Sequence, residues 1–362
     1  MSESVNVGIV GASIDGGWAM QSHVPAIAHL DSVMLNAVAT SRAESADRSA
    51  AALGARRGYS NAVDLAADPG VDLVTVAVKV PAHAGAVIAA IHAHKDVYCE
   101  WPLGVDTAQA EMLRDLALAA DVRSVIGLQA RLVPAVLAAR ALVADGTLGR
   151  ILSVQAFSAG MGLGGPVLPK DREWAADWAN GLSVLSVRSA HTLDAVEFCV
   201  GRIAELSAEV LVATAEPLIA GTDRIVRKTS PDQVIIAGRL EGGASLSAHF
   251  LLGVNPPHLP LLSIMGTAGT ACLVADTADG QIQMSHITLK VGLGSAAPTA
   301  VAQSFMSPAD QLGDPPAGVA RMYEAFRDGG AELPDFGHAV RLHTLLDTVV
   351  EAAANGKRVS RR

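Results

Sequence analysis

Apolar residues follow two rhythms along this chain. In the first third, short apolar runs alternate with stretches whose apolar positions recur at helical spacing. Residues 5–10 (VNVGIV), 33–40 (VMLNAVAT), 73–78 (LVTVAV), 96–100 and 124–128 read as strands. The unbroken run at 73–78 has the character of a strand buried on both faces, as in a parallel sheet. Helical patterns fall between these runs, at 18–29, 44–53, 83–94 and 107–120. Gly54 ends the second helix, and Asp106 or Thr107 caps the fourth. A short strand at Tyr59-Ser60 and a short helix opened by Asp64-Leu65, then broken at Pro69-Gly70, complete this part. Strict alternation of strand and helix predicts a doubly wound parallel sheet with right-handed crossovers, and such sheets bind ligands at the carboxyl ends of their strands.

The second rhythm begins after an amphipathic helix at 131–144, stopped by Asp145-Gly146. A strand at 151–157, a Gly- and Pro-rich loop at 158–170 and a helix at 183–200 follow. Strands are then predicted at 206–214, 233–240, 244–251, 262–265, 270–274 and 282–291, with short turns between them. That spacing predicts a mostly antiparallel open sheet. Helices at 317–328 and 337–354 close the chain. The predicted fold class is α/β. It pairs an N-terminal doubly wound domain (1–128) with a C-terminal α+β domain (129–362) for substrate binding and oligomerisation. One sheet face covers the 183–200 helix. The other is left bare and predicts a homodimer or homotetramer formed through this sheet.

Composition narrows the function. At 362 residues, half of them hydrophobic and 17% charged, the chain is globular and long enough for two domains. A net charge of −9, with no basic run outside the short tail Lys357-Arg358 to Arg361-Arg362, argues against nucleic acid. The first residues, MSESVNV, lack the basic start and apolar run of a leader, and no stretch is apolar enough to span a bilayer. Three scattered cysteines (Cys99, Cys199, Cys272) form neither a metal spacing nor a disulfide framework, which fits a cytoplasmic protein. His92 and His94 diverge on a helix, so no metal site is assigned.

Candidate chemistry gathers at strand ends. After the first strand comes Gly11-Ala12-Ser13-Ile14-Asp15-Gly16-Gly17-Trp18. Glycines let the backbone turn tightly and approach a diphosphate. The match to G-x-G-x-x-G is altered: Ser13 stands at the second glycine and the third is displaced to Gly16 or Gly17. After the second strand, Thr40-Ser41-Arg42 contains no acid to receive ribose hydroxyls. A hydroxyl and a guanidinium suit a 2′-phosphate, which favours NADP with NAD also possible; alternatively, Arg42 only opens the next helix. Past the later strands lie Val78, Lys79 and His83, then Glu100 and Trp101, then Gln129 and Arg131. Trp101 either stacks on a nicotinamide or sugar or closes an interface. Lys79 is either a proton donor or phosphate contact, or a surface residue. Further on, Lys170, Trp174, Asp177, Trp178 and Asn180 offer flat apolar faces and hydrogen-bonding groups for a polyol; the two tryptophans, four apart, also fit a core stripe. His191 and Asp194, three apart, share a helix face where an imidazole can pass a proton.

These stretches resemble the glucose–fructose oxidoreductase/inositol dehydrogenase (Gfo/Idh/MocA) family. The correspondences are the glycine turn, the strand running into a helix that carries His83, Glu100-Trp101-Pro102 at the family's Glu-Lys-Pro, Leu148-Gly149-Arg150-Ile151, Met265 to Gly269, and Gly181 to Asp194 at its histidine motif. Trp101 stands at the family's catalytic lysine, Val187 at its aspartate and Ser189 at its glycine. Gly17-Trp18-Ala19, Gly127 to Arg131 and Ala190 to Asp194 are most similar to a branch that includes the fungal repressor of the galactose regulon. The resemblance implies an NAD(P)-dependent oxidoreductase acting on a carbonyl or alcohol carbon of a sugar or cyclic polyol; the alternative is a dinucleotide-sensing regulator without catalysis. It also implies a site. Gly11, Ser13, Ile14, Gly16, Gly17, Trp18, Ser41, Arg42, Val78, Lys79, His83, Glu100, Trp101 and Gln129 hold cofactor. Trp101, Arg131, Lys170, Trp174, Asn180 and His191 meet substrate, and His191, Lys79 and Asp194 carry the chemistry.

Overall fold

The structure, a computed structural model, describes residues 4–255, 259–277, 280–302, 304–330 and 333–361. Residues 1–3 and Arg362, used above in the readings of leader and tail, lie outside them. The chain forms two compact units. One is Met1–Gln129 with Ser307–His343; the other is Ala130–Met306 with Thr344–Arg362. Residues 307–343, placed by their position in the sequence with the second domain, thus join the first.

The first unit contains β1 (Val5–Val10), α1 (Trp18–Gln21), α2 (His23–His29), β2 (Val33–Ala39), α3 (Ala43–Leu53), β3 (Arg57–Tyr59), α4 (Ala62–Ala66), β4 (Leu73–Val76), α5 (His83–His92), β5 (Asp96–Glu100), α6 (Thr107–Ala119) and β6 (Ser124–Gly127). All its strand pairs are parallel, in the order β3-β2-β1-β4-β5-β6. This is the predicted doubly wound sheet. Its core is β-branched and apolar: Val7, Ile9, Leu73, Val74, Val76, Val97 and Ile126 are buried, each contributing about 1.5–3 kcal/mol on leaving water. The single helix expected at 18–29 is broken at Ser22. Pro25 lacks an N–H for the carbonyl four residues earlier, and its ring crowds that carbonyl. Ser22 marks the break, its hydroxyl donating to Trp18 O at 2.8 Å.

The helix Pro316–Arg327 packs on this unit by burying Val319, Met322 and Phe326, and brings it a polar group through Tyr323. Tyr323 Oη lies 2.8 Å from His23 Nδ1 and 2.9 Å from Thr75 Oγ1. His23 Nε2 lies 2.9 Å from Glu100 Oε1. Tyr98 packs edge-on against the His23 ring. A carboxylate, an imidazole and two hydroxyls are thereby buried together and paired, which is the condition for burying them at all.

The second unit contains α7 (Pro134–Ala144), β7 (Ile151–Gly160), β8 (Val167–Leu168), α8 (Ala190–Val200), β9 (Ile203–Leu211), β10 (Leu218–Ile219), β11 (Gln233–Leu240), β12 (Ser245–Leu252), β13 (Leu262–Gly266), β14 (Gly269–Ala275), β15 (Ile287–Leu293), β16 (Thr299–Ala300) and β17 (Val359–Ser360). Nine strands form one sheet, ordered β16-β15-β14-β13-β7-β12-β11-β9-β17. Only the β7–β12 pair is parallel within it, so the sheet is mostly antiparallel as predicted. α7 and α8 pack on one face. Leu211, Ile235, Leu251 and Phe157 belong to the opposite face, as the register and the alternating burial of β11 and β12 show. Three expectations change here. The strand at 282–291 begins only at Ile287, after a turn at 281–284. The helix at 131–144 begins at Pro134, behind a 3₁₀ turn at Gln129–Leu132. The helix at 183–200 starts with a π-helical turn, Leu185–Ser189, ahead of α8.

Candidate functional site

The glycine turn sits at the carboxyl end of β1, the central position where ligands meet such sheets. Gly11 takes φ +105°, and a Cβ there would come within 2.5 Å of Ala77 O, so only glycine fits against the end of β4. Gly16 and Gly17 also have positive φ, at +119° and +111°. Gly16 N donates to Ser13 O at 3.0 Å, which closes the turn. Ser13 Oγ accepts from Asp15 N at 3.3 Å. α3 holds the turn from outside: Ile14 N donates to Ser49 Oγ at 3.2 Å, and Arg48 meets Asp15 at 3.4 Å. The displaced glycines therefore still build a tight cradle.

Past β2, Thr40 Oγ1 and Ser45 Oγ both lie on Arg42 O, at 2.9 and 3.0 Å, and tie down the start of α3. Ser41 and Arg42 themselves are exposed. Arg42 occupies the N-cap position of α3, so it both opens that helix and presents its guanidinium outward.

The exits of β4 and β5 are fastened together by His83. Its Nδ1 lies 2.8 Å from Pro102 O and its Nε2 3.0 Å from Val78 O. Burial pushes the His83 pKa down. His83 is therefore a buried imidazole between two loops that, when neutral, donates to one of these carbonyls at a time, whereas Lys79 is exposed and Val78 half-buried. Glu100 is engaged by His23, as described above. Trp101 is only 6% exposed, and its ring lies 4.7 Å from that of His343. Trp18 Nε1 and Gln129 Oε1 are buried without a hydrogen-bond partner among the described residues.

In the second unit, Arg131 donates to Asp194 through two bonds of 2.7 Å each. Both Asp194 oxygens are thus taken. Asp194, expected to carry chemistry with His191, and Arg131, expected on substrate, are paired with each other. Phe198 is flanked by Arg131 at 4.8 Å and Arg140 at 4.2 Å. His191, 4% exposed, lies on α8 one turn from Asp194, directly after the π-helical turn. Arg188, within that turn, donates from NH1 to Ser158 Oγ, Ala159 O and Gly280 O at 2.8, 2.9 and 3.2 Å.

The residues of the expected polyol set lie on turns within the 170–180 stretch. That stretch forms two 3₁₀ turns, Lys170–Ala176 and Trp178–Asn180, so the tryptophans lose helical spacing. Trp178 is 39% exposed and is not the core residue expected. Asn180 Nδ2 donates to Trp174 O at 2.6 Å, which commits it to the loop. Asp177 Oδ1 accepts from Ala179 N at 3.0 Å. Lys170 is exposed and Trp174 half-buried.

Sequence reasoning missed three features. The His23–Glu100–Tyr323 set spans 300 positions and leaves no local signal. Lys228 and Asp232 form a buried pair at 2.9 Å; their i,i+4 spacing was visible, but nothing marked it as buried. Arg188 lay in plain view between the two altered motif positions. Among the described residues, no group of three His, Cys, Asp or Glu side chains could hold a metal, and no helix is long and apolar enough to cross a membrane.

Comparison with known proteins adds to this geometry. Residues 5–128 match the model of an oxidoreductase family with an NAD-binding Rossmann fold, and residues 134–275 match that of the Gal80p C-terminal domain. Dehydrogenase aclE of Aspergillus oryzae is 33% identical over 280 residues, covering 72% of this chain and 74% of the relative. The super-repressor form of Gal80p from Saccharomyces cerevisiae superimposes with a TM-score of 0.88 at 21% identity, over 99% of this chain and 97% of its own. Levoglucosan dehydrogenase in complex with NADH and L-sorbose gives a TM-score of 0.86 at 21% identity, over 99% of both chains.

Proposed function

The chain belongs to the Gfo/Idh/MocA family of oxidoreductases, and from that premise we propose that it is an NAD(P)-dependent oxidoreductase acting on a carbonyl or alcohol carbon of a sugar or cyclic polyol. The glycine turn carries this reading. Gly11 is seated against Ala77 O where a Cβ has no room, and the rest of the turn is braced by α3. Such a cradle suits a diphosphate. The dehydrogenase relatives support the activity, and the complex of levoglucosan dehydrogenase with NADH and L-sorbose supports the substrate class. Bound dinucleotide supplies the hydride donor or acceptor.

The chain's own residues then divide the work. Gly11, Ser13, Ile14, Gly16, Gly17 and Trp18 hold the diphosphate side. Ser41 and Arg42 read a 2′-phosphate, which makes NADP the preferred form. His191 exchanges a proton with the substrate oxygen, and positioned side chains doing so contribute about 10²–10⁴ in rate. Asp194 and Arg131 act as positioning residues that fix the turn of α8 bearing His191. Lys79, Lys170 and Trp174 contact cofactor or substrate. The bare sheet face, with Ile235 and Phe157, joins copies of the chain.

A regulator without turnover is the second reading, and a specific observation favours it. The family's lysine position holds Trp101, and that indole is packed on His343. The Gal80p-like match over residues 134–275 points the same way.

Titration with NADPH and NADH followed by fluorescence, then an absorbance screen with sugars, inositols and small ketones, decides between them. Tighter NADPH binding with turnover is expected. Tight binding with no turnover across the panel would favour the regulator. In the active case, His191→Ala is expected to lose at least a hundredfold in kcat with dinucleotide affinity unchanged; intact turnover would remove His191 from its role.

A further inference from the structure

Several buried side-chain atoms of the first unit have no hydrogen-bond partner among the described residues, among them Trp18 Nε1, Tyr98 Oη, Gln129 Oε1 and His343 Nε2. Buried polar atoms in native proteins are nearly always paired, so each exception asks for a ligand, a water or a function. Gln129 is the most informative. It follows β6 by two residues, at the carboxyl edge where a doubly wound sheet meets its ligand, and is 1% exposed. Its stem is confined by the helix Pro316–Arg327. A Cβ on Gly318 would lie 3.2 Å from Gln129 Cγ, so Gly318 gives the side chain its room and limits its freedom. The result is a pinned side chain ending in a buried acceptor.

We propose that Gln129 recognises the carboxamide of the nicotinamide ring, with Oε1 accepting an amide N–H. This rests on the dinucleotide reading above and deepens it. The choice of ligand group follows from the chemistry of the atom. A buried carbonyl oxygen needs a donor, and diphosphate and 2′-phosphate oxygens bring only acceptors. A carboxamide brings two N–H donors and one acceptor. It therefore pairs with a glutamine end whichever way that amide is turned. Ribose hydroxyls can donate as well, so they are the rival to test against. Gln129 is thus a positioning residue for the nicotinamide end, while the glycine turn serves the diphosphate. It gives the site a means of telling a whole dinucleotide from its ADP-ribose part.

Three probes on the full chain test this: NADH, its reduced 3-acetylpyridine analogue, in which a methyl replaces the amide nitrogen, and ADP-ribose, which keeps both riboses and lacks the ring. The 2′-phosphorylated forms replace them if NADPH binds better. Wild type is expected to bind NADH about tenfold more tightly than the acetylpyridine analogue, because a site built to hydrogen-bond a group rejects ligands lacking it. Gln129→Met keeps the shape and removes the acceptor. It is expected to weaken NADH about tenfold, leave ADP-ribose within twofold and abolish the preference over the analogue. Equal binding of NADH and the analogue by wild type would overturn the proposal, and that comparison needs no variant to fold. A loss of ADP-ribose affinity in Gln129→Met as large as the loss for NADH would also overturn it, since that is the mark of a merely structural residue. Wild type that binds ADP-ribose without favouring NADH sinks this inference alone; wild type that binds none of the three sinks the dinucleotide reading with it.

Discussion

At the scale of single residues, Gly11 and His343 carry the sharpest expectations. Gly11→Ala sets a methyl 2.5 Å from Ala77 O in a conformation L-residues rarely adopt. The turn must move, so dinucleotide affinity is expected to fall at least tenfold in a fluorescence titration, with the protein still folded. Affinity within twofold of wild type would show that the turn does not hold the diphosphate. His343 predicts a pH effect. Burial against Trp101 holds its pKa down to about 4, from 6.5. Between those values the unfolded chain binds a proton that the folded chain refuses. Stability is therefore complete above the unfolded value and falls as pH drops toward the folded one. At 1.36 kcal/mol per unit, the loss amounts to about 3 kcal/mol. His83, whose pKa burial also lowers, adds in the same direction. In urea unfolding at pH 7, 6, 5 and 4, His343→Leu is expected to flatten this decline; an unchanged slope would assign it to other groups. Residue types at the glycine turn were legible because their chemistry is local. The partners of Trp101 and Asp194 were not, because an indole or a carboxylate reveals nothing of its neighbour until the chain is folded.

At the scale of elements, periodicity served well where one face of an element is apolar and the other is not. The longer strands of the two large sheets and the closing helices emerged from that signal, and the two-residue strands did not. It failed where a backbone detail interrupts a helix. Pro25 splits the expected 18–29 helix at Ser22, and the π-helical turn at Leu185–Ser189 shifts the phase ahead of α8. That turn lies at the altered Val187 and Ser189 positions, in line with the enrichment of such turns at functional sites. The Arg131–Asp194 pair ties α8 to the turn preceding α7, so it tests the element directly. Arg131→Ala takes both arginine hydrogen bonds from a buried carboxylate and is expected to cost about 3–5 kcal/mol in urea unfolding. Adding Asp194→Leu should recover much of that, because it removes the buried charge that has lost its arginine. A single-variant cost below about 1 kcal/mol, the range of an exposed pair, would mean the carboxylate is not sealed in.

At the scale of the whole molecule, the bare face of the second sheet predicts association. Light scattering is expected to give a dimer or tetramer, and Ile235→Lys to shift it toward monomer without lowering Tm by more than a few degrees. A wild-type monomer at micromolar concentration would remove the sheet face as an interface. The sequence by itself determined the two sheets, their parallel and antiparallel characters and the position of the glycine turn. Those follow from hydrophobic period and from glycine's tolerance of positive φ, both properties of adjacent residues. Only the tertiary structure decided that residues 307–343 join the first unit, that Tyr323 completes the His23–Glu100 pair, and that Gln129 ends in a buried acceptor without a partner among the described residues. Burial and pairing depend on groups hundreds of positions apart, and no local pattern encodes which of them will meet.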